Sequence, residues 1–349
     1  MRRVAEGVRD LYGAEVIALT TLAADDSWEI PVMGPGWLGI FFSLSRIRSF
    51  IKDCDIVHAF DVFPYGLIAV IASLGLGKKI IITGVGSNSI IPLCRRLYRP
   101  WASWVYRRAN RVIAISAFTR AEILKRIPDI NIQVINPGVD GEVFAKGTAR
   151  GPYYDISRFG HYMLGVGQLR WRKGYHFSIL AFSKIKKRFP DLSYVIVGKK
   201  FTAAYYERLR RIIREQGLED SVFILEDVDT RDMLADVYRG AELFCLFSQN
   251  VNHDVEGFGI VFLEAAAAGL PVVGSAGCGI EDAAQDGVNG ILVPSRSPDD
   301  VADAVIAILS DPAKKSTMAR ASLGFVRSMT WDRQIAKYAA VYDEVISQA

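Results

Sequence analysis

Short apolar runs alternate with amphipathic stretches along nearly all of this 349-residue sequence. Many of the apolar runs end in glycine or serine, and they have the length and composition of buried parallel strands. They lie at residues 15–21, 55–60, 79–84, 111–116, 132–138, 162–167, 193–198, 222–225, 243–248, 271–275 and 290–294. Because this alternation is typical of doubly wound α/β domains, we predict two such domains.

The domain limits follow from the length and from one irregular stretch. At about 150 residues per domain, the length favours two domains. Residues 145–161 are rich in glycine and polar side chains, and they are the best candidate for a linker. We therefore predict an N-terminal domain at residues 1–150, a C-terminal domain at 151–328 and a last helix at 329–349.

Composition excludes several classes of protein. Half of the residues are hydrophobic and 23% are charged, as in folded globular proteins. The longest apolar runs, such as residues 66–77, are shorter than the roughly 18 residues of a membrane-spanning helix. The N-terminus lacks the apolar core of a secretory signal, which favours a cytoplasmic protein. The four cysteines lie far apart, so we expect free thiols, no disulfide framework and no zinc site.

Charge is distributed unevenly along the chain. The net charge of +4 is too small to indicate a nucleic-acid partner. The segment from Arg95 to Arg111, however, contains six arginines and no acidic residue, with tyrosines and tryptophans between them. Such a segment fits contact with an anionic membrane surface or with a phosphate-bearing lipid. The alternative is a solvated helix whose aromatic residues pack in the core.

Cations are concentrated in the loop that follows the strand at 162–167. Arg170, Arg172, Lys173 and Gly174 lie directly before an amphipathic helix. Doubly wound sheets bind their ligands at the carboxyl ends of the strands, where backbone N–H groups and the helix dipole add to side-chain charge. The loop therefore predicts a phosphate site, and the alternative is a solvated basic loop.

The stretch EGFGIVFLE, residues 256–264, is a second candidate site. Gly257 and Gly259 let backbone N–H groups approach a ligand, and the helix predicted at 260–268 directs its positive end to the same place. We therefore expect a diphosphate there. Glu256 and Glu264 would accept hydrogen bonds from hydroxyl groups of the ligand, as acidic residues do with ribose. Alternatively, both are solvent-facing acids, which are common near a helix start.

Together with residues 115–123, 134–140, 166–174 and 286–294, this stretch resembles the retaining glycosyltransferases of family 4, which have the GT-B fold. The resemblance implies two Rossmann-like domains that face each other across a cleft, with a nucleotide sugar held mainly by the second. It also implies no bound metal and no other cofactor, since positive loop residues and a helix N-terminus neutralise the leaving diphosphate.

The resemblance assigns the diphosphate to the loop at 166–174. Lys173 matches the lysine that holds the diphosphate in the family. Gln168 replaces the arginine of the same loop, so Arg170 or Arg172 is expected to supply the missing charge.

The same resemblance assigns the sugar and the ribose to the stretch at 256–264. Glu256 matches the acid near the hydroxyl groups of the transferred sugar, and Glu264 matches the acid that binds the ribose. Gly257, Phe258 and Gly259 match the backbone contacts to the sugar and the phosphates.

The match is weaker in the N-terminal domain. His58 matches the first histidine of the His-x-His segment of many members, but Phe60 replaces the second, which lies beside the reacting sugar. Either Asp61 takes over a polar role in the cleft or that contact is absent, and His58 is alternatively a strand residue under the sheet. Gly86 and Asn88 belong to a loop that resembles the acceptor-facing loop, with Asn88 where an acid is often found.

The two ends of the chain differ in their match to the family. Members usually begin with a strand and a Gly-Gly loop, whereas this sequence begins inside the first helix and continues to the second strand. A central strand would then be missing from the sheet, so we expect a truncated or misassigned start and poor stability or weak acceptor-side activity. At the other end, the family's last helix packs back onto the first domain.

We expect transfer of a hexose from a UDP- or GDP-linked sugar to a hydroxyl group of a glycan or lipid-linked acceptor, with retention and without metal. Since the first domain offers no evident nucleophile, the reaction is expected on the face that the diphosphate leaves, with Lys173, Arg170 and Glu256 as catalytic residues. The expected location is cytoplasmic, peripheral at the inner membrane face. Alternatives are a sugar-nucleotide epimerase and a catalytically weak binding subunit.

Overall fold

The computed structural model describes residues 1–21, 26–34, 39–40, 42–145 and 153–348. Their contacts divide the chain into two compact units. Unit 1 comprises Met1–Pro137 and Trp331–Ala349, and unit 2 comprises Gly138–Thr330. The predicted domain limit between residues 150 and 151, and part of the predicted linker, lie outside the described residues.

Unit 1 contains two parallel sheets within its described part. Its strands are β1 Ala18–Thr20, β2 Glu29–Pro31, β3 Ile56–Phe60, β4 Lys79–Gly84, β5 Arg111–Ala114 and β6 Ile132–Val134. The larger sheet has the order β3-β4-β5-β6, and the smaller sheet pairs β1 with β2. The apolar runs predicted at 55–60, 79–84, 111–116 and 132–138 therefore form one buried parallel ladder.

The smaller sheet departs from the prediction. Only Ala18–Thr20 of the predicted strand at 15–21 is extended, and it pairs with β2, which the sequence pattern did not predict. Strand β2 is three residues long and ends in Pro31, so it is too short to show a period-2 pattern. Among the described residues no strand pairs with the outer edge of β3.

The helices of unit 1 before residue 137 connect these strands. They are α1 Arg2–Tyr12, α2 Leu44–Ile51, α3 Leu67–Ser73, α4 Ser87–Cys94, α5 Arg99–Arg108 and α6 Ala117–Leu124. Helix α5 occupies most of the basic aromatic segment found in the sequence, and Ala102, Val105 and Tyr106 on its inner face are buried. Arg99, Arg107 and Arg108 of this helix are exposed, whereas Arg111 is buried at the start of β5.

Unit 2 is built on one six-stranded parallel sheet. Its strands are β7 His161–Val166, β8 Leu192–Val197, β9 Val222–Leu225, β10 Leu243–Leu246, β11 Val272–Ser275 and β12 Gly290–Val293. They have the order β12-β11-β10-β7-β8-β9. This is a doubly wound order, because the chain reverses its direction of travel through the sheet between β9 and β10. The strands predicted in the second half of the sequence are thereby confirmed within one or two residues.

Helices cover the sheet of unit 2, and those that follow a strand begin on the side of its carboxyl edge. They are α7 Gly141–Phe144, α8 Tyr175–Arg188, α9 Ala203–Glu215, α10 Arg231–Gly240, α11 Ile260–Ala267, α12 Pro298–Leu309 and α13 Pro312–Val326. Thr202 and Thr230 begin α9 and α10, since each hydroxyl accepts a hydrogen bond from the backbone N–H three residues later. Helix α11 is nearly all apolar and is buried, as the predicted helix at 260–268 requires.

The last helix, α14 Trp331–Ser347, belongs to unit 1. Ile335, Tyr338 and Val341 on one face pack with Val4 and Val8 of α1 in a shared core that also includes residues of β4 and β5. The spacing of three to four residues between these apolar positions places them on one face of the helix, which fixes α14 against the sheet of unit 1.

Candidate functional site

The β7–α8 loop crosses the end of β10 at very close range. The backbone N–H of Gln249 donates to the carbonyl of Arg172 at 2.7 Å. Gly174 has φ +70°, and a Cβ there would lie 2.0 Å from the carbonyl oxygen of Phe247. Because only glycine fits both the backbone angle and the space, Gly174 allows the loop to bring Arg172 and Lys173 over the strand that precedes Glu256.

Glu256 is the centre of a buried ionic cluster. Lys173 Nζ and Ser248 Oγ each donate to Glu256 Oε2 at 2.6 Å, and Arg172 Nη1 lies 2.9 Å from the same oxygen. Burial alone would raise the pKa of Glu256, but the charges of Lys173 and Arg172, with the hydrogen bonds from Lys173 and Ser248, lower it to about 2. Glu256 is therefore a carboxylate at neutral pH.

This cluster contains polar atoms that remain available to a ligand. The three contacts to Glu256 all reach Oε2, and no described side chain donates to Oε1. On the cationic side, Nε and Nη1 of Arg172 are buried and form ion pairs with Asp254 and Glu256, but neither pair has hydrogen-bond geometry among the described residues. Because buried donors without a well-aligned acceptor are costly, an anionic ligand at this place would stabilise them. The cluster thus offers one acceptor for a hydroxyl group and donors for an anion.

The stretch after Glu256 forms a tight turn into α11. Gly259 has φ +85° and directly precedes the helix. The backbone N–H of Gly279 donates to the carbonyl of Glu256 at 2.9 Å, and a Cβ on Gly279 would lie 2.1 Å from the carbonyl oxygen of Gly257. Phe258 is buried and anchors the turn. The first N–H groups of α11, which have no acceptor within the helix, therefore open beside the Glu256 cluster.

Glu264 lies one turn into α11 and has a different partner. Tyr238 of α10 donates its hydroxyl to Glu264 Oε2 at 2.9 Å. Burial raises the pKa of Glu264, and the hydrogen bond from Tyr238 opposes that shift. The structure therefore brings together Arg172, Lys173 and Glu256, whereas Glu264 forms a separate contact with α10.

Arg170 and Gln168 occupy the outer part of the β7–α8 loop. Arg170 Nη2 lies 2.6 Å from Asp254 Oδ2, and Arg172 Nε lies 3.3 Å from Asp254 Oδ1. Gln168 is exposed at the start of the loop. Of the two arginines that the sequence offered as a source of positive charge, Arg172 contacts Glu256 and Arg170 contacts Asp254.

Sequence reasoning missed Ser248, Asp254 and Tyr238. Ser248 lies two residues after the end of β10, at the carboxyl edge of the sheet, so its place beyond a strand end was the available signal. Asp254 lies two residues before Glu256 in a loop without regular periodicity. Tyr238 lies on the buried face of an amphipathic helix, where a tyrosine is indistinguishable from other core residues in the sequence.

In unit 1, Asp61 organises the loop between β4 and α4. It has φ +71°, and its carboxylate accepts hydrogen bonds from the Val85 backbone N–H, from Ser89 and from Asn88. Burial raises the pKa of Asp61, and these hydrogen bonds oppose the shift. Gly86, with φ +144°, forms the bend before α4. Asp61 and Asn88 thus contact each other.

His58 forms a separate network on β3. Its Nδ1 lies 2.6 Å from the hydroxyl of Tyr342, and its Nε2 lies 2.7 Å from Thr83 Oγ1. The ring stacks on Phe60 at a centroid distance of 4.4 Å. Burial lowers the pKa of His58 to about 3, so the imidazole is neutral at physiological pH.

Two further observations concern the described residues as a whole. They contain no group of three or more histidine, cysteine, aspartate or glutamate side chains arranged to hold a metal ion. No helix in the described ranges has both the length and the hydropathy that a membrane span requires.

Two family models match the chain. The model described as Glycosyl transferases group 1 matches residues 160–323, which lie in unit 2. The model described as Glycosyltransferase Family 4 matches residues 11–143, nearly all of them in unit 1. The two matches together span most of the chain.

Curated relatives match over different lengths. A D-inositol 3-phosphate glycosyltransferase from Kribbella flavida is 33% identical over 223 residues, which are 60% of this chain and 50% of the relative. A GDP-mannose-dependent alpha-(1-6)-phosphatidylinositol monomannoside mannosyltransferase from Mycobacterium tuberculosis is 29% identical over 306 residues, which are 84% of this chain and 77% of that relative. The matched segment thus spans about half the length of the first relative.

Solved structures share the fold at low sequence identity. Sucrose-phosphate synthase from Thermosynechococcus elongatus has a TM-score of 0.81 at 18% identity, over 100% of this chain and 93% of that chain. HepE from Anabaena, in complex with UDP-glucose, has a TM-score of 0.77 at 19% identity, over 97% and 95%. These similarities confirm the predicted GT-B fold.

Proposed function

Because this chain belongs to the family 4 glycosyltransferases, we propose that it transfers a hexose from a nucleotide diphosphate sugar to a hydroxyl group of an acceptor. The observation that carries the proposal is the cluster of Lys173, Arg172 and Glu256 directly before α11. It combines donors for a diphosphate with one open carboxylate oxygen for a sugar hydroxyl, at the N-terminus of a helix.

We infer that transfer proceeds with retention on the face that the diphosphate leaves. The bond between the anomeric carbon and the diphosphate oxygen breaks as the acceptor oxygen bonds to the same face, and the acceptor proton passes to the departing diphosphate. Lys173, Arg172 and the N-terminus of α11 stabilise the developing negative charge. Glu256 orients the sugar through Oε1, and Arg170 adds positive charge from its position beside Asp254.

The donor is proposed to be a UDP- or GDP-linked hexose, and Glu264 is proposed to accept hydrogen bonds from its ribose. The name of the Mycobacterium tuberculosis relative specifies GDP-mannose, and HepE was solved with UDP-glucose. Since cations of the chain neutralise the diphosphate, the proposed reaction requires no metal.

The acceptor is proposed to be a glycan or a lipid-linked molecule at the cytoplasmic face of the membrane. The two curated relatives are named for inositol phosphate and phosphatidylinositol acceptors. In this chain, Leu97 is 79% exposed in the turn before α5, beside Tyr98 and Trp101. Exposed apolar side chains flanked by arginines are the composition that anchors a protein to an anionic lipid surface.

Turnover of nucleotide sugars by the full chain tests the proposal. UDP-glucose, GDP-mannose and related donors would be incubated with lipid extracts, with and without EDTA, and the anomeric configuration of the product read by proton NMR. We expect transfer with retention that EDTA leaves unchanged. Inversion or EDTA inactivation would overturn the mechanism. Release of a C2-epimerised sugar nucleotide would favour the epimerase, and absence of both transfer and donor hydrolysis would favour the silent subunit.

Sedimentation with vesicles tests the membrane contact separately. Leu97→Asp is expected to weaken binding to vesicles that contain phosphatidylglycerol by about tenfold, because it replaces an exposed apolar group with a charge. Leu323→Asp is the matched control, since Leu323 is exposed on α13 of unit 2. Equal binding by the two variants would contradict the assignment of the membrane contact to this segment.

A further inference from the structure

A pocket lies beside the β7–α8 loop and shares Arg172 with the Glu256 cluster. It has a volume of about 350 Å³, within the range of small-ligand pockets. The lining residues on which the argument rests are Arg170, Trp171, Arg172, Phe201, Arg208 and Asp254. Lys173, Glu256 and Glu264 do not line it. The loop that carries Lys173 toward Glu256 therefore presents other side chains to a second space.

Aromatic rings hold two of the pocket's guanidinium groups. Arg208 Cζ lies 4.8 Å from the ring centroid of Trp171, and Arg170 Cζ lies 4.8 Å from that of Phe201. Trp171 in turn packs on the buried His176 at a centroid distance of 4.5 Å. Stacking restricts the planar guanidinium while leaving the N–H groups at its edge available, so these arginines are preorganised to donate.

The charges of the pocket are not balanced by its own residues. Asp254 is the carboxylate that lines it, and this side chain pairs with Arg170 and approaches Arg172. Arg208 has no ion pair with a described carboxylate, and its buried Nε donates no hydrogen bond. Arg170 and Arg172 thus have carboxylate partners, whereas Arg208 has none among the described residues. The unpaired charge of Arg208 and its unused Nε donor favour an anionic ligand in this pocket.

Size and shape distinguish the ligand from a bare ion. The pocket is larger than a phosphate group needs, and Ala204 and Val251 contribute apolar surface. Ala204 also lies in the first turn of the 13-residue helix α9, whose positive end adds to the arginine charge. Arginines bind phosphate in a bidentate manner, and the remaining volume fits a ring of sugar size.

We propose that this pocket binds a phosphate monoester of a sugar or polyol, at a site distinct from the donor diphosphate. The phosphate contacts Arg208, which the proposed transfer reaction does not use, and the hydroxylated body lies beside Trp171 and Phe201. The ester belongs either to the acceptor or to a free effector, and both share this chemistry. The inference goes beyond the proposed transfer reaction, because it concerns a binding equilibrium that needs no donor sugar.

Calorimetry with the full chain tests the proposal. Glucose 6-phosphate is expected to bind with a stoichiometry of one, glucose is expected not to bind, and UDP is expected not to compete. Arg208→Gln is expected to weaken glucose 6-phosphate about tenfold or more, since it removes a charged donor. Arg211→Gln is the matched control on the same helix, because Arg211 is exposed and pairs with Glu215; it is expected to change the affinity less than twofold.

Further experiments identify the source of the phosphate ester and control for misfolding of the variants. Phe201→Ala removes the 55%-exposed ring under Arg170 and is expected to weaken binding several-fold at unchanged thermal stability. Acceleration of transfer by glucose 6-phosphate identifies an effector, and appearance of a disaccharide phosphate, formed by transfer of one hexose to glucose 6-phosphate, identifies an acceptor; either supports the site. Any one of three results would overturn the proposal. UDP could compete with glucose 6-phosphate, Arg208→Gln and Arg211→Gln could lose affinity equally, or inorganic phosphate could bind as tightly as the ester. Since donor turnover is measured separately, this failure leaves the proposed transfer reaction standing.

Discussion

Unit 1 and unit 2 each hold a titratable side chain in a hydrogen-bonded cluster, but the side chain in unit 2 is charged and the one in unit 1 is neutral. Glu256 in unit 2 is ionised, with a pKa of about 2, because Lys173 and Arg172 outweigh its burial. His58 in unit 1 is neutral, with a pKa of about 3, because burial and the positive charge of the N-terminus both lower it. Burial disfavours charge in both, and only unit 2 supplies charges of opposite sign.

The difference extends to the atoms that remain for a ligand. Both ring nitrogens of His58 are engaged by Tyr342 and Thr83. Glu256 keeps Oε1 when only described partners are counted, and the ion pairs of Arg172 Nε and Nη1 lack hydrogen-bond geometry. A cluster whose polar atoms all have hydrogen-bond partners within the protein stabilises the fold. A cluster that leaves buried polar atoms without partners costs stability and is typical of a binding site. The four predictions below test this contrast, from the largest expected effect to the smallest.

Lys173→Ala is expected to have the largest effect, a fall in kcat/KM for nucleotide-sugar turnover of about 100- to 1000-fold. The substitution removes a cation that stabilises the leaving diphosphate and leaves Glu256 with Arg172 as its remaining cationic contact. Steady-state kinetics measures it. Lys199→Ala is the control, because Lys199 is exposed and pairs only with an exposed aspartate. A loss below about tenfold for Lys173→Ala would show that the cluster is structural, like that of His58.

Gly174→Ala is expected to destabilise unit 2 by about 3 kcal/mol or more, measured by denaturant unfolding. It introduces a Cβ at 2.0 Å from the Phe247 carbonyl oxygen in a residue with φ +70°. Gly277→Ala is the matched control, since its φ is +76° but no atom lies within 4 Å of the added Cβ. Gly277→Ala is expected to lower the free energy of unfolding by about 1 kcal/mol, which is the effect of the backbone angle alone. Similar losses for both variants would mean that close packing of the loop is unimportant.

The sequence predicted unit 2 better than unit 1. Runs such as 193–198 and 243–248 are long, apolar and bounded by glycine or serine, so periodicity and composition indicate the same strands that the structure has. Strands β1 and β2 have three residues each and lie at a partly exposed edge, where neither signal is strong. Their pairing depends on tertiary contacts with the cluster around Val32 and Ile47.

The sequence predicted which residues form the site, but it did not predict which of them contact each other. Lys173 and Glu256 were assigned from their motifs, yet the motifs do not specify that Arg172 rather than Arg170 approaches Glu256. In a loop, the direction of consecutive side chains depends on the turn at Trp171–Lys173, which has no sequence period. The pairing of His58 with Tyr342, 284 residues apart, likewise depends on the docking of α14.

Acid is expected to weaken unit 1 through His58. Its folded pKa of about 3 lies below the usual 6.5, so the unfolded chain binds the proton more readily, and the stabilisation is complete above pH 6.5 and is lost as pH falls toward 3. Between pH 7 and 5.5 the wild type should lose about 1 kcal/mol more than His58→Gln in denaturant unfolding. Glu256 does not contribute in this window, since its stabilisation is present above about pH 4.5 and is lost as pH falls through about 2. Equal pH profiles for wild type and His58→Gln would contradict a neutral, buried His58.

The smallest expected effects come from two tyrosine substitutions, which remove one hydroxyl group from each cluster and so compare the clusters directly. Tyr342→Phe removes the hydroxyl beside His58, and Tyr238→Phe removes the hydroxyl that donates to Glu264, so each is expected to lower the free energy of unfolding by about 1 kcal/mol. Only Tyr238→Phe is expected to change the Kd for UDP or GDP, by about two- to fivefold, because it releases the carboxylate proposed to bind the ribose. Calorimetric titration of both variants measures the change. A shift of nucleotide affinity in Tyr342→Phe, or none in Tyr238→Phe, would mean that the division between a self-satisfied cluster in unit 1 and a ligand-binding cluster in unit 2 is wrong.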